Sequence, residues 1–138
     1  MTERYGTSAQ TARVDRGRVH AWLSQQSYWA QGRSRGTQDA AIDGSRNYGV
    51  YDEDTGEQVA YARVVTDGVT FAWLCDVFVA PEVRGRGVGK MLVAAVIEDL
   101  EPLGLKRTLL STGNAHRLYA QYGFEPLADP SKMMARVL

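Results

Sequence analysis

Residues 84–90 combine glycine and positive charge at a spacing that suits a pyrophosphate group. The segment holds three glycines and three cations: Gly85, Gly87, Gly89, Arg84, Arg86 and Lys90. Glycine lets the backbone approach a ligand closely, and the free N–H groups at the start of a helix attract anions. Because the apolar residues that follow Val88 recur at helical spacing, we expect a helix to begin here with an anionic ligand at its N-terminus.

Two common phosphate-binding patterns do not fit this segment. The P-loop pattern G-x-x-x-x-G-K-(S/T) would require glycine at Arg84 and a hydroxyl residue at Met91. The dinucleotide fingerprint G-x-G-x-x-G would require glycine at Lys90 in one register and at Leu92 in the other. These mismatches disfavour a nucleotide-binding protein.

The pattern Arg84-x-x-Gly87-x-Gly89 instead resembles the coenzyme A pyrophosphate loop of the GCN5-related N-acetyltransferase (GNAT) family, written (Q/R)-x-x-G-x-(G/A). Residues 115–124, which include Tyr119, resemble the later family element A-x-x-L-Y-x-x-x-G-F. Both motifs occur in the family's order, and the resemblance extends from about residue 9 to the C-terminus. It implies an α/β (α+β) fold for residues 1–138, with a mixed, mostly antiparallel central sheet and helices on both faces.

The resemblance also implies where the cofactor, acetyl-CoA, binds. In the family, two parallel strands splay apart and admit the pantetheine arm, so the main chain of Val77, Phe78 and Val79 is expected to contact it. The glycine loop, defined as residues 84–90, supplies the remaining predicted contacts: Arg84, Gly85, Arg86, Gly87, Val88, Gly89 and Lys90. The family commonly has asparagine where this chain has Thr112, so Asn114 either makes that cofactor contact or caps the next helix.

The activity that the resemblance implies is direct transfer of acetyl from acetyl-CoA to a primary amine of a small molecule or peptide. Such a reaction needs a base for the ammonium and an acid for the departing thiolate. Tyr119 matches the family's general acid, although its hydroxyl could instead rest on a backbone carbonyl. Asp76 is a candidate base or a brace for the loop, with His116 and water as the other bases. A non-catalytic acyl-CoA-binding sensor or interaction module is the alternative function.

Four residues between the first two predicted helices are candidates for binding the acceptor: Tyr28, Trp29, Arg33 and Arg35. Aromatic faces and guanidinium groups together suit an anionic or planar substrate. The alternative is an aromatic contact that closes the loop, with the arginines in solvent. The sequence does not identify the acceptor.

Apolar spacing and capping residues predict the helices that hold this loop. Asp15 is placed to cap a helix that runs to about residue 25 and carries Val19, Trp22 and Leu23 on one face. Thr37 is expected to cap a second, shorter helix. The first eight or so residues are polar and are expected to fray.

Beyond residue 44 the spacing of the apolar residues changes from one typical of helices to one typical of strands. Residues 48–79 predict three antiparallel strands, with the dipeptide Asp67-Gly68 as a hairpin signal. A helix over residues 88–100, a strand near 107–110 and a helix that carries Tyr119 follow. Because a strand–helix–strand connection is a right-handed crossover, the strands that end at Val79 and near Leu109 are expected to be parallel neighbours.

The composition limits the classes of function. A chain of 138 residues, 44% apolar, suits one domain. Sixteen basic and sixteen acidic residues cancel, which disfavours nucleic acid or an anionic membrane as partner. The single cysteine forms no intramolecular disulfide, and we see neither a secretory signal nor a membrane span, so a cytoplasmic location is expected. Exposed sheet edges are compatible with a homodimer.

Overall fold

A five-stranded mixed sheet forms the centre of the protein over residues 4–138, the part that the computed structural model describes. The strands follow one another across the sheet in chain order: β1 Tyr5–Ser8, β2 Arg46–Asp52, β3 Gln58–Thr66, β4 Phe71–Val79 and β5 Arg107–Leu109. The pairs β1–β2, β2–β3 and β3–β4 are antiparallel, and β4–β5 is parallel. The predicted fold class and the predicted parallel pair are confirmed.

Four helices cover the sheet on both faces: α1 Arg16–Gln26, α2 Arg35–Asp43, α3 Val88–Leu100 and α4 His116–Ala120. Trp22 of α1 stacks on Phe78 with ring centroids 5.5 Å apart. A Cβ added to Gly89 of α3 would lie 3.7 Å from Val79. Because adjacent residues of a strand point to opposite faces, α1 and α3 lie on opposite sides of β4. None of the helices in residues 4–138 has the length and hydropathy to cross a bilayer.

Buried apolar stripes explain why the two longer helices pack as they do. In α1, Val19, Trp22 and Leu23 are buried, as their spacing predicts, and Asp15 caps the helix by accepting a hydrogen bond from the Arg18 N–H. The helix α3 has the bounds that the sequence predicts and buries Val88, Leu92, Val93, Val96 and Leu100. These residues join a single apolar cluster around the sheet, which holds β4 and the start of α3 in a fixed relation.

Two predictions about the N-terminal half are wrong. Residues 5–8 do not fray but form β1, whose pairing with β2 places Tyr5 opposite Asp52; residues 1–3 lie outside the described part. The second helix begins two residues before Thr37, and Ser34 is its cap. The Ser34 hydroxyl accepts a hydrogen bond from the Thr37 N–H at 3.1 Å, so Thr37 is the capped residue rather than the cap.

The cap matters for the site because Ser34 follows Arg33 directly. We expect Ser34→Ala to lower the free energy of unfolding by about 1 kcal/mol, since it leaves an N–H of the first turn without a partner. Thr37→Ala is the matched control and should cost less than about 0.5 kcal/mol, because its backbone N–H remains capped. Urea unfolding measures both, and a larger loss for Thr37→Ala would contradict this assignment.

Candidate active site

A cleft of about 880 Å³ opens where β4 and β5 separate. The parallel pairing joins residues 71–73 to residues 107–109 and stops there, whereas β4 continues to Val79. Beyond residue 73, this edge of β4 therefore has no strand partner within residues 4–138. Apart from the Val79 carbonyl, which accepts a hydrogen bond from Arg84, its backbone groups are open to a ligand. Val77, Phe78 and Val79 line the cleft.

The glycine loop curves around one end of this cleft and leads into α3. Gly85 and Gly87 have φ angles of 82° and 79°, a left-handed conformation that favours glycine. A Cβ at either position would meet no atom within 4 Å, so glycine serves the backbone conformation and not a lack of space. The first-turn N–H groups of α3 have no acceptor among residues 4–138, and Gly87, Val88 and Gly89 line the cleft. This cradle of free donors suits a pyrophosphate.

The three cations of the glycine loop do not all face the cleft. Arg84 lines it, donates from Nε to the Val79 carbonyl at 3.0 Å and lies 5.4 Å from the centre of the Phe78 ring. Arg86 donates instead to the hydroxyl of Tyr5 at 3.1 Å. Neither Arg86 nor Lys90 is a lining residue, so this conformation does not support their predicted contact with the cofactor.

Asp76 occupies a β-bulge in the middle of β4. The register pairs Tyr61 with Phe78 and Arg63 with Cys75, so two residues of β4 lie opposite the single residue between them on β3. Within residues 4–138, Asp76 is the one non-glycine residue with a positive φ, 54°. Aspartate tolerates this conformation better than most residues. The bulge turns the Asp76 carboxyl toward charged partners from two other segments.

Three side chains hold the Asp76 carboxylate, which is buried. Trp29 Nε1 donates to Oδ1 at 2.9 Å, while Arg33 Nη1 and Arg63 Nε donate to Oδ2 at 2.7 and 2.6 Å. Burial alone raises the pKa of this carboxyl, but the hydrogen bonds and charges of the two arginines outweigh it and hold the pKa below its usual value. A carboxylate with a lowered pKa and three donors is a poor proton acceptor, so these contacts favour the predicted brace over the predicted general base.

Tyr119 reaches the cleft from α4. Its side chain is buried, and its ring lies edge-on to Phe124 with centroids 5.9 Å apart. Its hydroxyl has no hydrogen-bond partner among residues 4–138 and is not sealed from solvent. The arrangement therefore differs from the alternative in which this hydroxyl donates to a backbone carbonyl. Burial raises the pKa of Tyr119, and the neighbouring Tyr28 raises this pKa further. The hydroxyl is therefore protonated at neutral pH.

The loop of residues 27–34 between α1 and α2 holds three of the predicted acceptor residues, is called the acceptor loop for that reason, and borders the cleft. Tyr28, Trp29 and Arg33 line the cleft. A Cβ on Gly113 would lie 3.0 Å from the Tyr28 hydroxyl, so Tyr28 reaches the segment that precedes α4. Arg35 lies outside the lining, on α2, where its Nε is 3.2 Å from Asp39. Three of the four predicted acceptor residues thus meet at the cleft, and Arg35 does not.

Arg63 is a charged residue of the cleft that the sequence prediction missed. It stands within the apolar run of β3, and its side chain is largely buried against Asp76. The signal that would have found it is this isolated charge, because a buried guanidinium needs a partner.

The segment before α4 bears on one of the two roles expected of Asn114, the helix cap. Asn114 lines the cleft, whereas the side-chain hydrogen bond at the start of α4 comes from Thr112, whose hydroxyl accepts from the Ala115 N–H at 3.0 Å. Asn114 is therefore not the helix cap. It remains available for the predicted cofactor contact.

The sequence profile of the acetyltransferase (GNAT) family matches residues 16–124. A crystal structure from Xanthomonas campestris pv. campestris, of a protein assigned to the GNAT acetyltransferases, is 42% identical, covers 97% of this chain and 93% of its own, and has a TM-score of 0.90.

Two further relatives are more distant. GCN5-related N-acetyltransferase 1, chloroplastic, of Arabidopsis thaliana is 35% identical over 86 residues, or 62% of this chain and 43% of that protein. The chain spans less than half the length of the curated relatives that it matches. The crystal structure of Rv2747 from Mycobacterium tuberculosis, which contains CoA, is 17% identical, covers 88% of this chain and 72% of its own, and shares the fold with a TM-score of 0.73.

The Asp76 cluster predicts an acid-dependent stability. Asp76→Asn keeps the side-chain shape and suits a positive φ, but it leaves two largely buried guanidinium groups without their counter-charge. We expect it to lower the free energy of unfolding by about 3 kcal/mol at pH 7. Because the folded-state pKa is lowered, the carboxylate's contribution is complete above the unfolded value of about 3.9 and is lost as the pH falls through the folded value.

The difference in stability between the parent protein and Asp76→Asn should therefore shrink below about pH 4. Guanidinium unfolding at pH 7 and pH 3 measures it. Glu82→Gln, which removes an exposed carboxylate 3.3 Å from Arg18, is the control and should change stability by less than about 0.5 kcal/mol. A difference that stays constant with pH would show that the charge of Asp76 is not what stabilises the cluster.

Proposed function

Because the chain belongs to the acetyltransferase (GNAT) family, whose members use acetyl-CoA, we propose that it transfers the acetyl group of acetyl-CoA to a primary amine. The proposal takes residues 1–138 as one N-acetyltransferase domain. The observation that carries it is one continuous cleft with an uncapped helix N-terminus at the glycine loop and an unpaired tyrosine hydroxyl at Tyr119. Bound acetyl-CoA supplies a thioester carbonyl to an attacking amine and a thiolate as leaving group.

The residues of the glycine loop and β4 fit the parts of coenzyme A. The free first-turn N–H groups of α3 and the guanidinium of Arg84 are placed to bind the pyrophosphate. The edge of β4 over residues 77–79, which has no strand partner on this side, offers backbone groups to the amides of the pantetheine arm, and the Val79 carbonyl also accepts from Arg84. Asn114 offers a side-chain amide from the other wall.

Proton transfer is assigned to Tyr119 and to water. Tyr119 Oη holds a proton through neutral pH and is open to the cleft, so it is the group that donates to the departing thiolate. Asp76 is committed to its two arginines, and His116 is exposed and outside the lining, so water takes the proton of the amine. Burial raises the pKa of the Cys75 thiol, which leaves it a weak nucleophile and favours direct transfer over an acyl-enzyme.

A matched pair of substitutions at Gly87 tests the pyrophosphate cradle. Aspartate and asparagine both tolerate the left-handed backbone and have the same shape, but Gly87→Asp adds a negative charge where the pyrophosphate binds. We expect Gly87→Asp to weaken binding of coenzyme A at least about 10-fold more than Gly87→Asn does. Titration calorimetry measures both dissociation constants. Equal affinities in the two folded variants would count against this site.

A tyrosine pair tests the proton donor. Tyr119→Phe keeps the ring and removes the hydroxyl, so kcat with the best amine of a panel should fall about 100-fold or more while the Kd for coenzyme A stays within about 2-fold. Tyr122→Phe is the control, because its hydroxyl donates to the Lys90 carbonyl at 3.0 Å outside the cleft, and it should leave kcat nearly unchanged. If Tyr119→Phe turns over like the parent, Tyr119 is a packing residue.

A further inference from the structure

The acceptor end of the cleft carries one positive charge more than its acid can balance. Arg33 and Arg63 both pair with the same oxygen of Asp76, so two guanidinium groups share one carboxylate. Among the lining residues in the described part of the chain, Asp76 is the sole acidic side chain. A buried or half-buried cation without a counter-charge is unfavourable, and an anion bound there would complete the balance.

The two arginines also have N–H groups that no other residue of the described part accepts. Arg33 uses Nη1 for Gln38 and Asp76, and its Nε and Nη2 have no partner in residues 4–138. Arg63 uses Nε for Asp76 and Nη1 for Ser45, and its Nη2 has none. None of these spare nitrogens is sealed from solvent. Because both side chains line the cleft, their spare N–H groups are candidate donors for a bound molecule.

This cluster is separate from the pyrophosphate cradle. Asp76 precedes Val79 by three residues along β4, and the glycine loop begins five residues beyond Val79. Trp29, which donates to Asp76, and Arg33 both belong to the acceptor loop. The surplus charge therefore lies on the acceptor's side of the cleft.

We propose that the acceptor carries an anionic group close to its amine, a carboxylate or a phosphate, and that Arg63 and Arg33 bind this group with the N–H donors that Asp76 leaves unused. The proposal rests on the proposed acetyl transfer and names the substrate class for it. Asp76 positions the two guanidinium groups, and the anion completes their hydrogen bonding. A polycationic acceptor would meet a like charge at the same place.

Matched sets of amines test the proposal on the unmodified protein. Several amino acids are each compared with their carboxamide and their decarboxylated amine, and phosphoethanolamine is compared with ethanolamine. In the preferred set, we expect the compound that carries the carboxylate or phosphate to have a kcat/KM at least about 10-fold above that of the compounds that lack it. This gain is typical of a charge-assisted hydrogen bond. If an amino acid has the highest kcat/KM, the acceptor is amino-acid-like. If phosphoethanolamine has the highest kcat/KM, the acceptor is phosphorylated.

Substitutions at Arg63 then locate the preference. Arg63→Gln and Arg63→Lys should each raise the KM of the anionic acceptor about 10-fold or more, raise the KM of its neutral analogue by a smaller factor, and so reduce the preference for the anion. Arg46→Gln is the control, since Arg46 pairs with Asp99 at 3.1 Å outside the cleft. Thermal unfolding confirms that each variant is folded.

The outcomes separate this proposal from the one on which it rests. Neutral or decarboxylated amines acetylated as well as their anionic counterparts would overturn the anion site while leaving acetyl transfer intact. A preference for the anion that survives Arg63→Gln in a folded protein would overturn the role of Arg63. Absence of turnover with every amine, despite binding of coenzyme A, would count against the transfer reaction and against this proposal with it.

Discussion

The buried ion cluster at Asp76 is the interaction on which the acceptor half of the cleft depends. A carboxylate in this position is stable only because Arg33, Arg63 and Trp29 donate to it together. Two of those donors belong to the acceptor loop and one to β3, so the cluster fastens an irregular segment to the sheet. The same pairing that satisfies the carboxylate deprives it of basicity. These contacts therefore favour positioning over proton transfer as the role of Asp76.

Strand β4 contributes to both halves of the site because it departs twice from a regular sheet. Its bulge turns Asp76 toward the arginines, and its unpaired edge beyond residue 73 offers backbone groups to a ligand. A sheet with regular pairing throughout would have neither feature. The apolar cluster that includes Phe78 and Leu92 keeps the strand in place despite the missing partner. Packing on both faces replaces the hydrogen bonds that the open edge lacks.

Local patterns in the sequence predicted much of this arrangement, and tertiary pairing accounts for the rest. The bounds of α3, the Asp15 cap and the strands of the meander follow from periodicity and capping chemistry, which neighbouring residues determine. The strand β1 was missed because residues 5–8 show no apolar alternation and are ordered by pairing with β2. Ser34 and Thr37 both carry a hydroxyl suitable for a cap, and only the backbone path distinguishes them.

The candidate site divides in the same way. The glycine loop was predicted from its motif, but the motif does not fix where its exposed cations point, and Arg86 turns to Tyr5. The bulge at Asp76 depends on the register between β3 and β4, which no local pattern specifies. Because the bulge was not foreseen, neither were the role of Arg63 and the loss of basicity at Asp76. The errors therefore concentrate where distant segments meet.

The contacts at the two ends of the cleft also differ in sequence separation, that is, in the length of chain that must form a loop before the contact is made. Arg84 contacts Val79 across five residues, whereas Arg33 and Trp29 reach Asp76 across 43 and 47. Longer loops cost more entropy to close, and contacts of long sequence separation tend to form later during folding. The Arg84–Val79 contact is thus nearly local and can persist while residues 27–34 open in a partial unfolding event. Such an opening would separate Arg33 and Trp29 from Asp76 and leave the glycine loop attached to β4.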